Sequence, residues 1–110
     1  MLGALALGDL GTHFPDHDAK YENISSMMIL EDVCAMMEER GYELLNIDST
    51  VLLEQPKLQA YIPQIRHSLA KCLAIDLNQV SVKATTGEKV GIIGRKEAIV
   101  CQAVVLLKER

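Results

Sequence analysis

The sequence has no tryptophan, one phenylalanine, and no excess of positive charge. Eleven Lys and Arg residues stand against fifteen Asp and Glu residues, which gives a net charge of −4. This balance offers no general attraction to nucleic acid or an anionic membrane, so any phosphate site must be local. No apolar run is long enough to span a bilayer, and no basic segment precedes a signal-like stretch. We therefore predict a soluble intracellular protein.

Cysteine is also scarce, with only Cys34, Cys72 and Cys101 present. Their odd number and wide spacing exclude a disulfide framework and a zinc knuckle. Each lies in an apolar periodic stretch, so we interpret all three as small core residues in a reducing compartment.

With 110 residues, 49% of them apolar and 24% charged, the chain has the size and composition of one globular domain. Residues 1–8 are small and apolar and resemble the end of a buried helix that stops at Gly8. Because no helix start precedes them, we expect a domain, 1–110, that is truncated at its N-terminus.

Residues 9–18 are rich in turn formers and carboxylates. Asp9, Asp16 and Asp18, with His13 and His17, could form a metal site, but a solvated connection is the commoner use of such a loop. Phe14 lies in the same polar segment, and we expect it either to fill the core or to line a pocket.

Hydrophobic periodicity predicts two helices and three strands in the remainder of the chain. A helix capped by Ser25 or Ser26 should run to about Arg40 and stop at Gly41. A second helix should begin between Leu58 and Pro63. The strands are expected at 44–53, at 80–85 and, after a glycine-rich loop at 89–95, from about Glu97 to Leu107.

This order of elements predicts an α/β (α+β) two-layer sandwich, in which helices cover one face of a small mixed sheet. The first strand places Asn46, Asp48 and Thr50 on the other face, which therefore needs a partner. A symmetric oligomer is the natural partner for such a face.

The strand at 80–85 ends abruptly in Thr-Thr-Gly-Glu-Lys, residues 85–89. If Gly87 allows the chain to turn with its N–H groups grouped together, the turn could bind a phosphate. Thr86 could then donate a hydroxyl, Lys89 could supply charge, and Glu88 could hold a divalent cation. A plain strand-ending turn is the alternative interpretation.

Six stretches, taken together, resemble the 2-C-methyl-D-erythritol 2,4-cyclodiphosphate synthase family. They are Ala-Leu-Gly-Asp-Leu-Gly (6–11), Phe-Pro-Asp-His-Asp (14–18), Gln-Pro-Lys-Leu (55–58), Ile-Pro-Gln-Ile-Arg (62–66), Val-Lys-Ala-Thr-Thr-Gly-Glu-Lys (82–89) and Gly-Arg-Lys-Glu (94–97). The resemblance covers the whole chain. It implies a homotrimeric lyase of non-mevalonate isoprenoid biosynthesis, located in bacterial cytoplasm or in a plastid, with no nucleic-acid or membrane partner.

The resemblance also implies the reaction. The 2-phosphate of 4-diphosphocytidyl-2-C-methyl-D-erythritol 2-phosphate attacks the β-phosphorus, closes the cyclic diphosphate and releases CMP. Such a step needs positioning and charge neutralisation more than covalent catalysis. The alternative is an inactive trimer that binds CDP or a terpenoid phosphate, and a structural subunit without a ligand is a third possibility.

Candidate site residues follow by motif. Thr86 matches a catalytic threonine, Glu88 a carboxylate that meets a diphosphate-bound magnesium or manganese ion, and Arg95 and Glu97 a central trimer cavity. The implied substrate-binding residues are Asp9, Leu10, Gly11, Phe14, Pro15, Asp16, His17 and Asp18 for the methylerythritol phosphate, and Leu53, Glu54, Gln55, Pro56, Lys57, Leu58, Gln59, Thr85, Thr86, Gly87 and Glu88 for cytidine diphosphate, with Ile92 and Arg95 as further contacts.

The chain departs from the family pattern in several places. Gly87 stands where a threonine is usual, which we expect only to loosen the turn. Ile92 replaces an aromatic residue, and Lys96 and Ala98 replace glycines. The Asp-x-His pair and the histidine that bind the family's zinc have no counterpart here, because His13, His17 and His67 do not match them. We therefore expect the activity of these 110 residues to be low without that metal.

Overall fold

A central strand with a different neighbour on each edge organises the fold. The computed structural model describes all 110 residues. Its elements are α1 (Leu10–His13), α2 (Ser26–Glu39), β1 (Tyr42–Leu52), α3 (Ile62–Leu73), β2 (Val80–Thr85), α4 (Gly91–Gly94) and β3 (Val100–Glu109). The strand order is β2-β1-β3, with β2 parallel and β3 antiparallel to β1. The predicted mixed sheet with helices against one face is confirmed.

The ends of α2 follow the sequence signals. The Ser25 hydroxyl accepts a hydrogen bond from the Met27 N–H at 3.2 Å, and Gly41 has a φ of +81° beyond the last turn. Val33 and Met37 turn inward and are buried. The capped, amphipathic helix is therefore as predicted.

The phase of β1 differs from the prediction at its start. Leu44 is buried together with Ile47 and Ser49, whereas Leu45 is 37% exposed. A register shift between Leu44 and Asn46 on the β3 side marks a β-bulge, and an extra residue reverses the alternation of side chains. A strict two-residue period could not predict this change.

The main core lies between this sheet and α2 and α3. Its buried members come from both helices, β1 and β2, namely Met37, Leu44, Ile47, Ala70, Leu73, Val80 and Val82. A second cluster joins Leu2, Phe14 and Val33. Phe14 is buried in this cluster and packs edge-on against Tyr21 with ring centroids 5.4 Å apart, so it fills the core.

Residues 1–8 form a single helical turn that ends earlier than predicted. The Leu5 N–H points to the carbonyls of Met1 and Leu2 at 3.2 Å each. Ala6 has a φ of +57°, and the N–H groups of Ala6 and Leu7 donate to the carbonyls of Gly3 and Leu2 at 3.1 and 2.9 Å, which is the Schellman arrangement that closes a helix. The turn therefore closes at Ala6 and not at Gly8, and Leu2 anchors it in the second core cluster.

Burial of the cysteines is only partly as predicted. Cys34 and Cys72 are half-buried, and burial raises the pKa of the Cys34 thiol to about 11. Cys101 is exposed, contrary to the prediction. It lies on β3 opposite Val51, and β3 forms an edge of the sheet.

The helices of the chain are too short or too polar to span a bilayer.

Arg66 joins α3 to the start of β2. Its guanidinium donates to the Val80 carbonyl and to the Leu77 carbonyl, both at 2.8 Å. The neighbouring His67 is exposed. Sequence patterns alone do not distinguish the two residues, because both are polar positions on the predicted helix.

We expect Arg66→Ala to lower the free energy of unfolding by about 2 kcal/mol, since each lost charged hydrogen bond leaves a carbonyl without its donor. Urea denaturation monitored by circular dichroism measures the change. His67→Ala is the matched control and should stay within about 0.5 kcal/mol of the parent. Equal effects from the two substitutions would contradict this role for Arg66.

Candidate functional site

A cavity of about 1090 Å³ lies where β1 and β2 end. Because the two strands are parallel, the loops that leave their carboxyl ends emerge at the same edge of the sheet. Eight residues line it, of which seven are charged or polar and one is a proline: Glu54, Gln55, Pro56, Lys57, Thr86, Glu88, Lys89 and Lys96. This composition suits an anionic, hydrogen-bonding ligand.

A smaller adjoining cavity of about 190 Å³ extends the same site. Thr86, Glu88 and Lys57 line both cavities. The smaller one adds apolar surface and further polar groups from Leu53, Leu58, Gln59, Ala84 and Thr85. A nucleotide needs this combination, with a less polar slot for the base beside a charged space for phosphates.

The turn after β2 differs in detail from the prediction. Gly87 does not have a positive φ, whereas Glu88 and Lys89 have φ values of +52° and +63°. The Val90 N–H donates to the Gly87 carbonyl at 2.9 Å and closes the turn. Two central residues with positive φ define a type I′ turn, which usually contains Asn or Gly. Glu and Lys are strained there.

Gly87 is needed because a side chain would not fit there, and not because its backbone has a positive φ. A Cβ on Gly87 would lie 2.7 Å from the Gly94 nitrogen and 2.9 Å from the Val90 carbonyl oxygen. The expectation that this glycine only loosens the turn is therefore wrong for this chain. It lets α4 pack directly against the turn.

The N–H groups of the turn already have a carboxylate partner. Oε1 of Glu54, in the loop after β1, accepts from Gly87 N–H at 3.1 Å and from Lys89 N–H at 3.3 Å. The Glu88 N–H donates to Thr86 Oγ1 at 3.3 Å. The predicted grouping of N–H donors exists, but Glu54 occupies it. The hydroxyl hydrogen of Thr86 is left to donate elsewhere.

We expect Glu54→Ala to loosen this turn, because two N–H groups lose their acceptor. The free energy of unfolding should fall by about 1–3 kcal/mol, and amide hydrogen exchange at Gly87 and Lys89 should become faster. Glu54→Gln retains an acceptor oxygen and should lose less. Glu22→Ala removes an exposed carboxylate and serves as the control. If amide hydrogen exchange at Gly87 and Lys89 is unchanged in Glu54→Ala, Glu54 does not hold the turn in place.

The other predicted site residues lie elsewhere. None of the segment Asp9–Asp18 lines either cavity. Asp9 instead accepts from the N–H and hydroxyl of Thr12, which lowers the pKa of the Asp9 carboxyl, and Asp18 accepts from the Lys20 N–H. Both carboxylates cap short helical turns, so the loop has a local structural use.

Ile92, Arg95 and Glu97 also lie outside these two cavities. Ile92 is 50% exposed. Arg95 pairs with Glu97, with Nε 3.0 Å from Oε1 and the second guanidinium nitrogen 3.3 Å from Oε2. Glu97 instead lines a separate cavity of about 250 Å³ with Leu53, Glu54 and Gln55 of the loop after β1.

No group of three or more His, Cys, Asp or Glu side chains is close enough to hold a metal ion. The residues present do not fit a zinc site with three protein ligands. Glu88 does fit a different use, because it is exposed, lines the cavity and forms no ion pair. Magnesium can bind one carboxylate and take its other ligands from phosphates and water.

Comparison with known proteins identifies the family. The YgbB family model matches residues 1–108. The chain belongs to the YgbB family. A relative from Desulfitobacterium hafniense, named 2-C-methyl-D-erythritol 2,4-cyclodiphosphate synthase, is 57% identical over 107 residues, which are 97% of this chain and 68% of the relative.

Solved structures show the same fold. The bifunctional IspDF of Campylobacter jejuni matches with a TM-score of 0.95 and 41% identity, over 99% of this chain and 30% of that one. The CDP complex of IspF from Plasmodium falciparum matches with a TM-score of 0.86 and 35% identity, over 99% of this chain and 65% of that one. The resemblance to the 2-C-methyl-D-erythritol 2,4-cyclodiphosphate synthase family that the sequence motifs indicated is confirmed.

Proposed function

We propose that this chain forms the cytidine diphosphate side of a 2-C-methyl-D-erythritol 2,4-cyclodiphosphate synthase active site. The reaction is attack of the substrate's 2-phosphate on the β-phosphorus of its CDP group, with loss of CMP. The proposal depends on one observation: loops 53–59 and 85–89 meet at the two adjoining cavities described above. A relative with 35% identity is described as a CDP complex, which supports the choice of nucleotide.

We assign each role from the position of the residue in the two cavities. Leu53, Leu58 and Gln59 would contact the base, and Lys57 and Lys89 would neutralise phosphate charge. Thr86 would donate its free hydroxyl hydrogen to a phosphate oxygen as negative charge develops. Glu88 would hold a divalent ion, which when bound neutralises the diphosphate.

The methylerythritol phosphate and the remaining contacts are assigned to other surfaces. We infer that the segment Asp9–Asp18, Ile92 and Arg95 bind substrate only when copies of the chain assemble, and that Arg95 and Glu97 line a central cavity of a homotrimer. The open sheet face supports assembly, since Val104 is 74% and Leu106 58% exposed there. The three free cysteines fit a reducing compartment such as bacterial cytoplasm or a plastid.

Two measurements test the proposal. Isothermal titration should show CDP binding to the 110-residue chain, and chromatography of CMP should measure turnover of the full substrate with added magnesium or zinc. Thr86→Val preserves the shape of the side chain and should retain CDP binding while lowering CMP release. Binding of CDP without any CMP release would favour the non-catalytic binding module, and no binding of CDP would refute the proposed function.

A further inference from the structure

Lys96 occupies a backbone position that favours glycine. Its φ is +63°. The Lys96 N–H donates to the Ile93 carbonyl and the Glu97 N–H to the Ile92 carbonyl, both at 2.9 Å. These two bonds form the Schellman arrangement that closes a helix, here α4, and Lys96 stands where such a motif usually has glycine. The left-handed conformation is strained for lysine.

The Lys96 side chain lines the nucleotide cavity defined above. Lys57 and Lys89 line the same cavity, so its lining contains three lysines and two glutamates, Glu54 and Glu88. This excess of positive charge is local, because the whole chain has a net charge of −4. Strained residues cluster at ligand sites, and Glu88, Lys89 and Lys96 are three of the six non-glycine residues with positive φ.

None of the three lysines has a protein counter-ion. The two ion pairs of the chain are Lys83 with Asp48 and Arg95 with Glu97, both outside this cavity. The Glu54 carboxylate is held by two backbone N–H groups. A bound anion would therefore give these lysines a counter-charge that no ion pair of the chain supplies.

We propose that Lys96 is a phosphate-binding residue of this cavity, which donates from its ammonium group to the diphosphate of a bound nucleotide. The inference rests on the proposed function and deepens it, because it adds a charged contact at a backbone position that usually holds glycine. Lys57 and Lys89 supply the other two cations around the same diphosphate.

Two substitutions separate charge from backbone strain. Lys96→Gln removes the charge and keeps the strain, whereas Lys96→Gly removes both. We expect both variants to bind CDP about tenfold more weakly by isothermal titration, as for loss of one charged hydrogen bond. The melting temperature should rise by several degrees in Lys96→Gly and stay near the parent value in Lys96→Gln. Weaker binding by a more stable protein cannot be attributed to misfolding.

Ala74→Gly is the matched control. Ala74 follows α3 with a φ of +54°, and the hydrogen bonds from Ala74 N–H to Lys71 and from Ile75 N–H to Ala70 repeat the same motif. Since Ala74 lies outside the cavity, Ala74→Gly should raise the melting temperature and leave the CDP dissociation constant unchanged.

The outcomes separate this inference from the proposed function. If Lys96→Gln binds CDP as tightly as the parent does, the role of Lys96 is refuted while the function stands. If the parent does not bind CDP, the proposed function fails, and inorganic pyrophosphate becomes the probe of Lys96. Weaker pyrophosphate binding by Lys96→Gln than by the parent then supports the phosphate contact, and equal or absent binding overturns it.

Discussion

Gly94→Ala is expected to disrupt the turn after β2 more severely than any other single-methyl change in the site. A Cβ at Gly94 would lie 2.2 Å from the carbonyl carbon of Lys89 and 2.7 Å from its Cα. These are backbone atoms, so the turn or α4 must move. Overpacking of this kind costs about 3 kcal/mol, and CDP affinity should fall at least tenfold because Thr86 and Glu88 are displaced with the turn.

Thermal unfolding and titration with CDP measure both effects. Gly3→Ala is the control, because no heavy atom lies within 4 Å of its added Cβ and its φ is not positive. We expect Gly3→Ala to match the parent in both measurements. A Gly94→Ala variant with the parent's melting temperature and CDP affinity would show that the close approach of α4 is not needed for the site.

Val104→Lys is expected to separate the proposed homotrimer into monomers. Val104 is 74% exposed on the face of the sheet opposite the helices, near Leu106 at 58%. Assembly that buries this face would place the lysine charge in a desolvated interface, which is strongly unfavourable. Sedimentation or light scattering should find three times 12.1 kDa for the parent and one times 12.1 kDa for the variant.

Met28→Lys provides the matched control for this experiment. Met28 is 56% exposed on α2, so Met28→Lys changes another exposed apolar side chain, on the helical side of the molecule. We expect its mass to equal that of the parent. A parent that is already monomeric, or equal dissociation in both variants, would contradict assembly through the sheet face.

Local signals in the sequence were sufficient to predict the elements whose ends are marked by capping or turn residues. Ser25 and Gly41 cap α2, Pro63 lies in the first turn of α3, and the alternation at 80–85 predicts β2. Each depends on residues within one turn or one strand. The same reasoning placed the end of the first helical turn at Gly8, whereas the turn closes two residues earlier at Ala6.

The cavity could be predicted only in part. Parallel strands place the loops after β1 and β2 at one edge, so the meeting of residues 53–59 with 85–89 follows from the element order. The sequence could not show that Glu54 occupies the N–H groups of the turn, since those partners are 33 and 35 residues away. Nor could it show that Gly87 and Gly94 face one another, because glycine has several uses.

The site residues beyond this cavity remain predictions. Asp9 and Asp18 make local caps, and Arg95 pairs with Glu97, so within one chain their side chains already have partners. Contacts that form between copies leave no signal in the periodicity of a single sequence. Val104 and Leu106 were detectable only as apolar residues of a strand.

The strand β2 is fastened at both ends by side chains from other elements. Arg66 holds the Val80 carbonyl at its start, and Glu54 holds the turn that follows its end. Neither contact is one of the backbone hydrogen bonds that join β1 and β2. Because these hydrogen bonds are separate from the ladder between β1 and β2, we expect the turn after β2 to open locally without a change in the register of the two strands.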